Sequence, residues 1–219
     1  MTYCCSGFCA ASERHFNQRV AARDAARYRR NGPGVTTRSL RDGLRTAGPL
    51  AGTLLDIGSG VGALTFELLE IGVHHAVAVD ASEAYVSAGR EEAIRLGRAE
   101  AVEWIHGDFV SRASECQPAA VVTLDRVVCC YPAHEPLLVE AVRRAQRWFA
   151  LSYPRDRWYV RAANALQNAL RRMAGKPFRT FVHSSTAMER LIGGGGFRLA
   201  SRRGTMAWCA DVYVKTDAA

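Results

Sequence analysis

A glycine-rich turn at residues 53–62 (TLLDIGSGVG) constrains the fold more than any other stretch of the chain. The apolar residues before the glycines are typical of a buried parallel strand, and residues 63–69 begin a helical pattern. Alternate glycines let the backbone turn sharply and approach a ligand without a Cβ in the way. In open parallel sheets, ligands bind beyond the carboxyl ends of the strands. The turn therefore predicts a nucleotide-like cofactor above Gly58, Gly60 and Gly62.

An acidic residue at the end of the next apolar run strengthens this interpretation. Residues 76–79 predict a second strand, and Asp80 stands at its end, 20 positions after Gly60. A carboxylate at this distance from a glycine-rich turn is typical of a site that holds ribose hydroxyls. Turn and acid together predict an α/β fold around a doubly wound parallel sheet.

Three short motifs resemble those of the class I S-adenosylmethionine-dependent methyltransferases: residues 56–62 (DIGSGVG), 79–82 (VDAS) and 107–109 (GDF). The resemblance implies a mostly parallel seven-stranded sheet with an antiparallel last strand, and S-adenosyl-L-methionine as cofactor. It assigns Gly58 and Gly60 to the methionine part of the cofactor, Asp80 to the ribose and Asp108 to the adenine. A nicotinamide dehydrogenase, the rival interpretation, spaces its glycines G-x-G-x-x-G, whereas this chain has G-x-G-x-G. The predicted cofactor contacts are Asp56, Gly58, Ser59, Gly60, Asp80, Ala81, Asp108, Phe109 and Asp125.

Periodicity places the remaining elements. Strands are expected at residues 102–106, 119–124 and 148–153, with a closing antiparallel pair at 197–202 and 207–215. Helices are expected at 12–31, 37–47, 83–96, 135–147, 158–173 and 185–191. Ser12, Ser82 and either Ser184 or Ser185 are expected to cap helices. Asp108 is either an adenine contact or the cap of a short helix, and the two roles do not exclude one another.

Two domain-level segments follow. Residues 1–48 are expected to form an N-terminal helical lid, with a solvated basic helix face as the alternative. Residues 49–219 are expected to form the cofactor-binding domain, with a helical insertion at about 157–174. In that insertion Val160, Ala163, Leu166 and Leu170 share one stripe, and the resemblance implies that such a helix covers the substrate.

Composition limits the partners. The chain has 219 residues, a formal charge of +8 and only two lysines, so arginine supplies most of its positive charge. No apolar run is long enough to span a bilayer, and no signal-peptide core is apparent. The sequence has neither an arginine-rich tail nor a basic-aromatic repeat, the features that would indicate nucleic-acid binding. We therefore expect a cytoplasmic protein with a small, acidic substrate as one option, and the sequence leaves the oligomeric state open.

The segment after the fourth strand carries the catalytic candidates. Asp125 ends that strand, and Tyr131 and His134 follow it. His134 is either a base near neutral pH or a surface residue. Related enzymes that methylate nucleobase or glutamine nitrogens carry Asn-Pro-Pro-Tyr here, and its absence argues against such acceptors. Tyr28 and Arg155 are the predicted substrate contacts, since arginine binds carboxylates in a bidentate manner.

Five cysteines fall in two groups, Cys4, Cys5 and Cys9 near the start and Cys129 with Cys130 after the fourth strand. Three interpretations stay open: buried thiols, a site for zinc or another thiophilic metal, and a thiolate grip on a soft substrate such as a metalloid.

The predicted function is methyl transfer from S-adenosylmethionine to a small molecule, with a carboxylate or hydroxyl oxygen as acceptor. The chain resembles small-molecule O-methyltransferases, including, more distantly, the magnesium-protoporphyrin carboxylate methylators. The alternatives are methylation of a soft or metalloid substrate and a non-catalytic protein that only binds the cofactor.

Overall fold

The computed structural model describes residues 6–216, with side chains described from residue 10 onward. The predicted Cys4 and Cys5 ligands lie outside the described residues. No helix in this part of the chain is long and apolar enough to cross a membrane.

Seven strands form one twisted sheet in the order β3-β2-β1-β4-β5-β7-β6. All neighbouring pairs from β3 to β5 are parallel, and β7 runs antiparallel to both β5 and β6. The predicted doubly wound, mostly parallel sheet with an antiparallel last strand is therefore confirmed. The strands are β1 Thr53–Ile57, β2 His75–Asp80, β3 Val102–His106, β4 Ala119–Asp125, β5 Ala145–Pro154, β6 Phe197–Gly204 and β7 Trp208–Lys215.

Helices cover both faces of the sheet, which buries the strands on two sides. They are α1 Ser6–His15, α2 Gln18–Asn31, α3 Val35–Ala47, α4 Ala63–Glu70, α5 Glu83–Arg95, α6 Phe109–Arg112, α7 His134–Arg144, α8 Trp158–Met173 and α9 Ser185–Gly194. Leu55 and Phe149 pack into the core on one face, and Leu54 and Leu40 pack into the core on the other. This two-sided burial explains why β1 is an unbroken apolar run apart from its acid.

The N-terminal segment contains a break that the sequence did not predict. Ser12 was expected to begin a single helix, but it lies buried inside α1. The second helix begins instead at Asn17, whose side chain accepts hydrogen bonds from the backbone N–H groups of Arg19 and Val20. The asparagine satisfies two donors that the first turn of α2 leaves free, so the chain restarts its helix there.

One other boundary differs from expectation, and two predicted caps are confirmed. The helix expected at 135–147 ends at Arg144, because the chain already pairs with β4 from Ala145 onward. Ser82 and Ser184 cap α5 and α9 as predicted, each accepting a hydrogen bond from a backbone N–H three residues on.

Candidate functional site

The carboxyl ends of β1 and β2 bring the glycine turn and the predicted ribose acid together. The backbone N–H of Gly58 donates to the Val79 carbonyl at 2.7 Å. The Asp80 carboxylate accepts one hydrogen bond from the Gly60 N–H at 2.8 Å and another from the Ser82 N–H at 2.9 Å. Acid and turn are thus fixed to each other before any ligand arrives.

The turn requires its glycines for two reasons. Gly58, Gly60 and Gly62 all have left-handed backbones, with φ of 66°, 57° and 81°. A Cβ on Gly58 would lie 2.4 Å from the Val127 side chain, whereas the space above Gly60 is open for 4 Å. Gly58 therefore permits close packing of the segment after β4, and Gly60 leaves room for a ligand.

Burial changes the chemistry of Asp80. It raises the pKa of this carboxyl from 3.8 to about 6, and the two N–H donors only partly offset the loss of water. Each carboxylate oxygen still has a lone pair to offer, so Asp80 can accept further hydrogen bonds from hydroxyl groups.

A buried serine completes the evidence that a polar ligand fits here. The Ser59 Oγ is buried and has no hydrogen-bond partner among the described residues. A buried hydroxyl without a partner is costly, and a polar ligand would relieve that cost. The open Gly60, the acceptor Asp80 and this hydroxyl suit a nucleoside with a polar side arm.

Asp56 is placed inside the fold. Its carboxylate accepts from the hydroxyls of Thr65 at 2.6 Å and Thr123 at 2.7 Å, and burial raises its pKa to about 6. The acid therefore joins β1 to α4 and β4. Its direct contact with a cofactor stays a prediction.

Asp108, the acid after β3, has the capping role that the sequence analysis weighed. Asp108 caps α6 by accepting from the Ser111 N–H, and its carboxylate also accepts a short hydrogen bond from the Tyr131 hydroxyl. Of its neighbours, Phe109 packs into the core under the Arg144 guanidinium, 5.8 Å from the ring centre. Ala81 is half-buried directly after Asp80. Adenine contact by these residues stays a prediction.

Asp125 ties the N-terminal segment to the sheet. The Thr37 hydroxyl of α3 donates to one carboxylate oxygen at 2.6 Å, and the Ser152 hydroxyl of β5 donates to the other at 2.5 Å. Asp125 thus lies at the rim beside the glycine turn, and each of its oxygens already accepts one hydrogen bond.

The other two catalytic candidates contact residues of the protein itself. The Tyr131 hydroxyl donates to Asp108. His134 begins α7, but it is buried and not a surface residue, and its ring lies 4.1 Å from the ring of His183. Because this pair packs behind the segment after β4, His134 is not an exposed base.

Both predicted substrate contacts have partners within the protein. Tyr28 of α2 is half-buried against the core, with its ring 6.4 Å from that of Phe66 in α4, and burial raises its pKa to about 12. Arg155 donates from Nε to the Thr205 carbonyl at 2.7 Å and so braces the turn between β6 and β7.

The cysteine groups do not converge on a metal in the described part of the chain. There, no three His, Cys, Asp or Glu side chains lie close enough to hold an ion. Cys9 belongs to α1, and its side chain is not among those described. Cys129 and Cys130 lie side by side with their sulfurs 4.0 Å apart. The metal prediction therefore finds no support here, and the pair stands as adjacent thiols.

Arg126 is the residue at this rim that sequence reasoning missed. It has a left-handed backbone with φ of 64°, unusual for a residue with a side chain. Its N–H donates to Ser152 at 2.9 Å, and its guanidinium lies 5.6 Å from the Trp208 ring centre. The hydrogen bond with Cys130, and after it the positive charge of Arg126, lower the pKa of Cys129. In the sequence, only its position directly after Asp125 indicated that Arg126 lies at this rim.

A second missed contact joins the N-terminal segment to the ribose acid's loop. The Ser82 hydroxyl donates to the Phe16 carbonyl at 2.6 Å, at the break between α1 and α2. The preceding His15 stacks on Phe178, with ring centres 4.2 Å apart. The break between the two helices thus lies next to Asp80.

Comparisons with known proteins agree with this geometry. Residues 54–150 match a family profile described as a methyltransferase domain. Magnesium protoporphyrin IX methyltransferase from Synechocystis with bound SAH has a similar structure, with a TM-score of 0.68 at 18% identity over 95% of this chain and 100% of that one. An O-methyltransferase family protein from Burkholderia thailandensis has a TM-score of 0.68 at 14% identity, over 94% of this chain and 63% of the other. No curated protein sequence is significantly similar to the chain.

Proposed function

We propose that this chain, whose residues 54–150 match a methyltransferase domain, is a class I S-adenosylmethionine-dependent enzyme that methylates an oxygen atom of a small, anionic acceptor. The cofactor of this class supplies a methyl group on a positively charged sulfur, so the acceptor needs alignment more than activation. The tasks left to the chain are to hold the cofactor, to orient the acceptor and to exclude water.

Cofactor binding falls to the rim of β1 and β2. We assign the ribose hydroxyls to Asp80, whose carboxylate keeps free lone pairs, and the methionine arm to the turn around Ser59 and Gly60. Asp125 suits a positively charged amino group, since it is a rim carboxylate with two hydroxyl donors that hold it in one orientation. Asp108 would face the adenine from the end of β3.

Arg126 is the observation that carries the acceptor assignment. Arg126 directly follows Asp125 in the sequence. Its guanidinium forms no ion pair with any described carboxylate. Its side chain is exposed, so a substrate can reach it. The Arg126 guanidinium lies over the Trp208 ring, but its N–H groups have no hydrogen-bond partner among the described residues, and such a group can bind a carboxylate with two parallel hydrogen bonds. We therefore assign the acidic group of the acceptor to Arg126.

The state of the three catalytic candidates favours a carboxylate oxygen as the methyl acceptor. Asp125 is assigned to the amino group of the cofactor, the Tyr131 hydroxyl donates to Asp108, and His134 is buried against His183. A hydroxyl acceptor would need one of these groups to take its proton, whereas an ionised carboxylate is already a nucleophile and needs no base.

A screen of acceptors tests this function. The purified protein is incubated with labelled S-adenosylmethionine and matched sets of small carboxylic acids, phenols and amines, and products are identified by mass spectrometry. We expect methyl esters from the acids. Products only from phenols or amines would contradict the acceptor class while leaving the methyltransferase assignment intact.

Two variants then test whether Arg126 binds the acidic group of the acceptor. Arg126→Gln should raise KM for the acid roughly 10- to 100-fold, because a hydrogen-bonded charge pair contributes about 1.5–3 kcal/mol. Arg143→Gln, an exposed arginine on α7 far from the rim, is the matched control and should leave KM unchanged. Equal KM values for both variants would contradict the role of Arg126.

One observation favours a second acceptor class. The sulfurs of Cys129 and Cys130 lie 4.0 Å apart at the rim, and the hydrogen bond with Cys130 together with the charge of Arg126 lowers the pKa of Cys129. Two adjacent thiols suit a soft, trivalent metalloid. If this is the acceptor, Cys130→Ser should abolish methylation of arsenite and leave cofactor binding unchanged; methylation of arsenite at the native rate would contradict it.

A further inference from the structure

The inserted helix α8 has its polar side toward the protein and its apolar side toward solvent. At 3.6 residues per turn, the exposed Trp158, Leu166 and Met173 fall with the alanines between them in one arc of about 140°. The stripe that the sequence predicted to cover the substrate therefore faces outward at Leu166 and Leu170, and only Val160 is buried.

The inner side of α8 explains why the helix is held this way. Asn164 and Asn168 donate to the Thr180 carbonyl at 2.8 and 2.7 Å, and Arg171 donates to the Thr180 hydroxyl at 3.1 Å. These hydrogen bonds fix the helix to the strand-like segment before α9. The outward direction of the apolar face is thus determined by specific contacts on the opposite side.

The outer arc is strongly exposed, and the Trp158 indole N–H is its one side-chain donor without a partner in the described chain. Trp158 is 80% exposed, Leu166 63% and Met173 84%, and Met206 of the neighbouring turn is 82% exposed. The Tyr159 hydroxyl lies within this region but donates to the Met206 carbonyl at 2.7 Å. Exposed apolar patches of this extent mark interaction surfaces.

Positive charge surrounds the arc. Residues 157–188 contain no aspartate or glutamate. Of their six cations, Arg161 pairs with Asp156 and Arg171 points inward to Thr180, which leaves Arg157, Arg172, Lys176 and Arg179 without carboxylate partners in the described chain. A helix with tryptophan, leucine and methionine on one side and arginines at the flanks has the composition of a helix that lies in a membrane interface.

We propose that the outer face of α8 docks on an anionic lipid surface. Two copies of the chain would bring four cations without carboxylate partners against four across such an interface, so charge opposes self-association through this face. A protein partner would find only the Trp158 indole N–H as a free side-chain donor on this arc, whereas directional hydrogen bonds are a regular part of protein interfaces. A bilayer needs none, because its interior accepts apolar side chains and its anionic headgroups attract the flanking arginines.

Vesicle co-sedimentation tests the proposal with the full chain. We expect binding to vesicles of phosphatidylcholine mixed with phosphatidylglycerol at low salt, weaker binding to phosphatidylcholine alone, and loss as salt rises. Leu166→Gln with Met173→Gln should weaken binding at least tenfold, because each buried apolar side chain contributes about 1.5–3 kcal/mol. Arg157→Gln with Arg172→Gln should remove the preference for phosphatidylglycerol.

A matched control uses other exposed apolar side chains. Ile94 and Leu96, at the end of α5, are 70% and 38% exposed, and their double replacement by glutamine should leave vesicle binding unchanged. Sedimentation of the native chain without lipid completes the test. No binding to anionic vesicles, an equal loss in the control, or a dimer that Leu166→Gln with Met173→Gln dissociates would overturn the proposal. None of these readouts depends on the methyl acceptor.

Discussion

The Ser82 hydroxyl donates a 2.6 Å hydrogen bond to the Phe16 carbonyl, which fixes the break between α1 and α2 beside the acid at the end of β2. The same oxygen accepts from the Tyr85 N–H and caps α5. One buried side chain thus begins the helix after the cofactor acid and holds the N-terminal segment over it. We propose that this segment acts as a lid, with the Ser82 bond as its latch.

Replacing Ser82 should release the latch. Ser82→Ala is expected to cost about 0.5–2 kcal/mol through the lost cap and to raise amide exchange of residues 6–16 roughly fivefold. Ser184→Ala is the matched control, because Ser184 caps α9 in the same way but has no such tether. Hydrogen exchange with mass spectrometry measures the exchange of residues 6–16 in both variants. Equal exchange of residues 6–16 in the two variants would show that the hydrogen bond does not hold the segment.

Thr37 should position Asp125. Thr37→Val keeps the side-chain volume and removes the donor to the carboxylate, so we expect kcat/KM to fall about tenfold or more and stability to fall by about 1 kcal/mol. The neighbouring Thr36, also buried on α3, gives the control Thr36→Val. Steady-state kinetics and denaturant unfolding distinguish the two effects. If both variants lose the same rate, Thr37 contributes packing alone.

Two helical glycines should respond to alanine in opposite ways. A Cβ at Gly89 on α5 would lie 2.2 Å from the Trp104 ring, so Gly89→Ala is expected to destabilise the fold by about 1–3 kcal/mol. No atom lies within 4 Å of the same position at Gly193 on α9, so Gly193→Ala should be neutral or stabilise by up to about 1 kcal/mol. Urea unfolding measures both, and destabilisation by Gly193→Ala would contradict the placement of α9.

Asp56 should give the stability a recognisable pH dependence. Burial raises its folded pKa from 3.8 to about 6, so between these values the folded protein binds more protons than the unfolded chain. This contribution to the free energy of unfolding is present below about pH 4 and is lost as pH rises through 6.

Asp56→Asn should flatten that loss. Its curve of unfolding free energy against pH should fall less steeply between pH 4 and 6, by up to about 1.4 kcal/mol per pH unit. The variant should also be less stable overall by about 1–3 kcal/mol, because an amide N–H₂ would face a threonine hydroxyl donor. Parallel curves for the native protein and the variant would mean that Asp56 is not buried as described.

Local patterns predicted the parts of the fold that local chemistry determines. The turn from Gly58 to Gly62 requires left-handed backbones, and Asp80 follows a strand of clear pattern, so both could be found in the sequence. The same holds for the caps at Ser82 and Ser184. Each depends on a few neighbouring residues, whose identities are visible without knowing what packs on them.

The features that the sequence did not predict depend on how distant segments pack against one another. The apolar stripe of α8 indicated a buried face, but hydrogen bonds from Asn164 and Asn168 to Thr180 hold the other side inward. Tyr28 looked like a substrate contact until the stacking of its ring near Phe66 of α4 was known. The left-handed backbone at Arg126 could not be predicted, because glycine is the residue that indicates such a conformation and this position holds an arginine.

Calorimetric titration with S-adenosylmethionine and its demethylated product tests the central claim most directly. We expect the native chain to bind both, and Asp80→Asn to bind them roughly 10- to 100-fold more weakly, since a hydrogen bond to a charged acceptor contributes about 1.5–3 kcal/mol. The native affinity should also fall as pH drops below 6, where Asp80 takes up a proton. Equal affinity of Asp80→Asn, or binding of a nicotinamide dinucleotide in place of S-adenosylmethionine, would contradict the account.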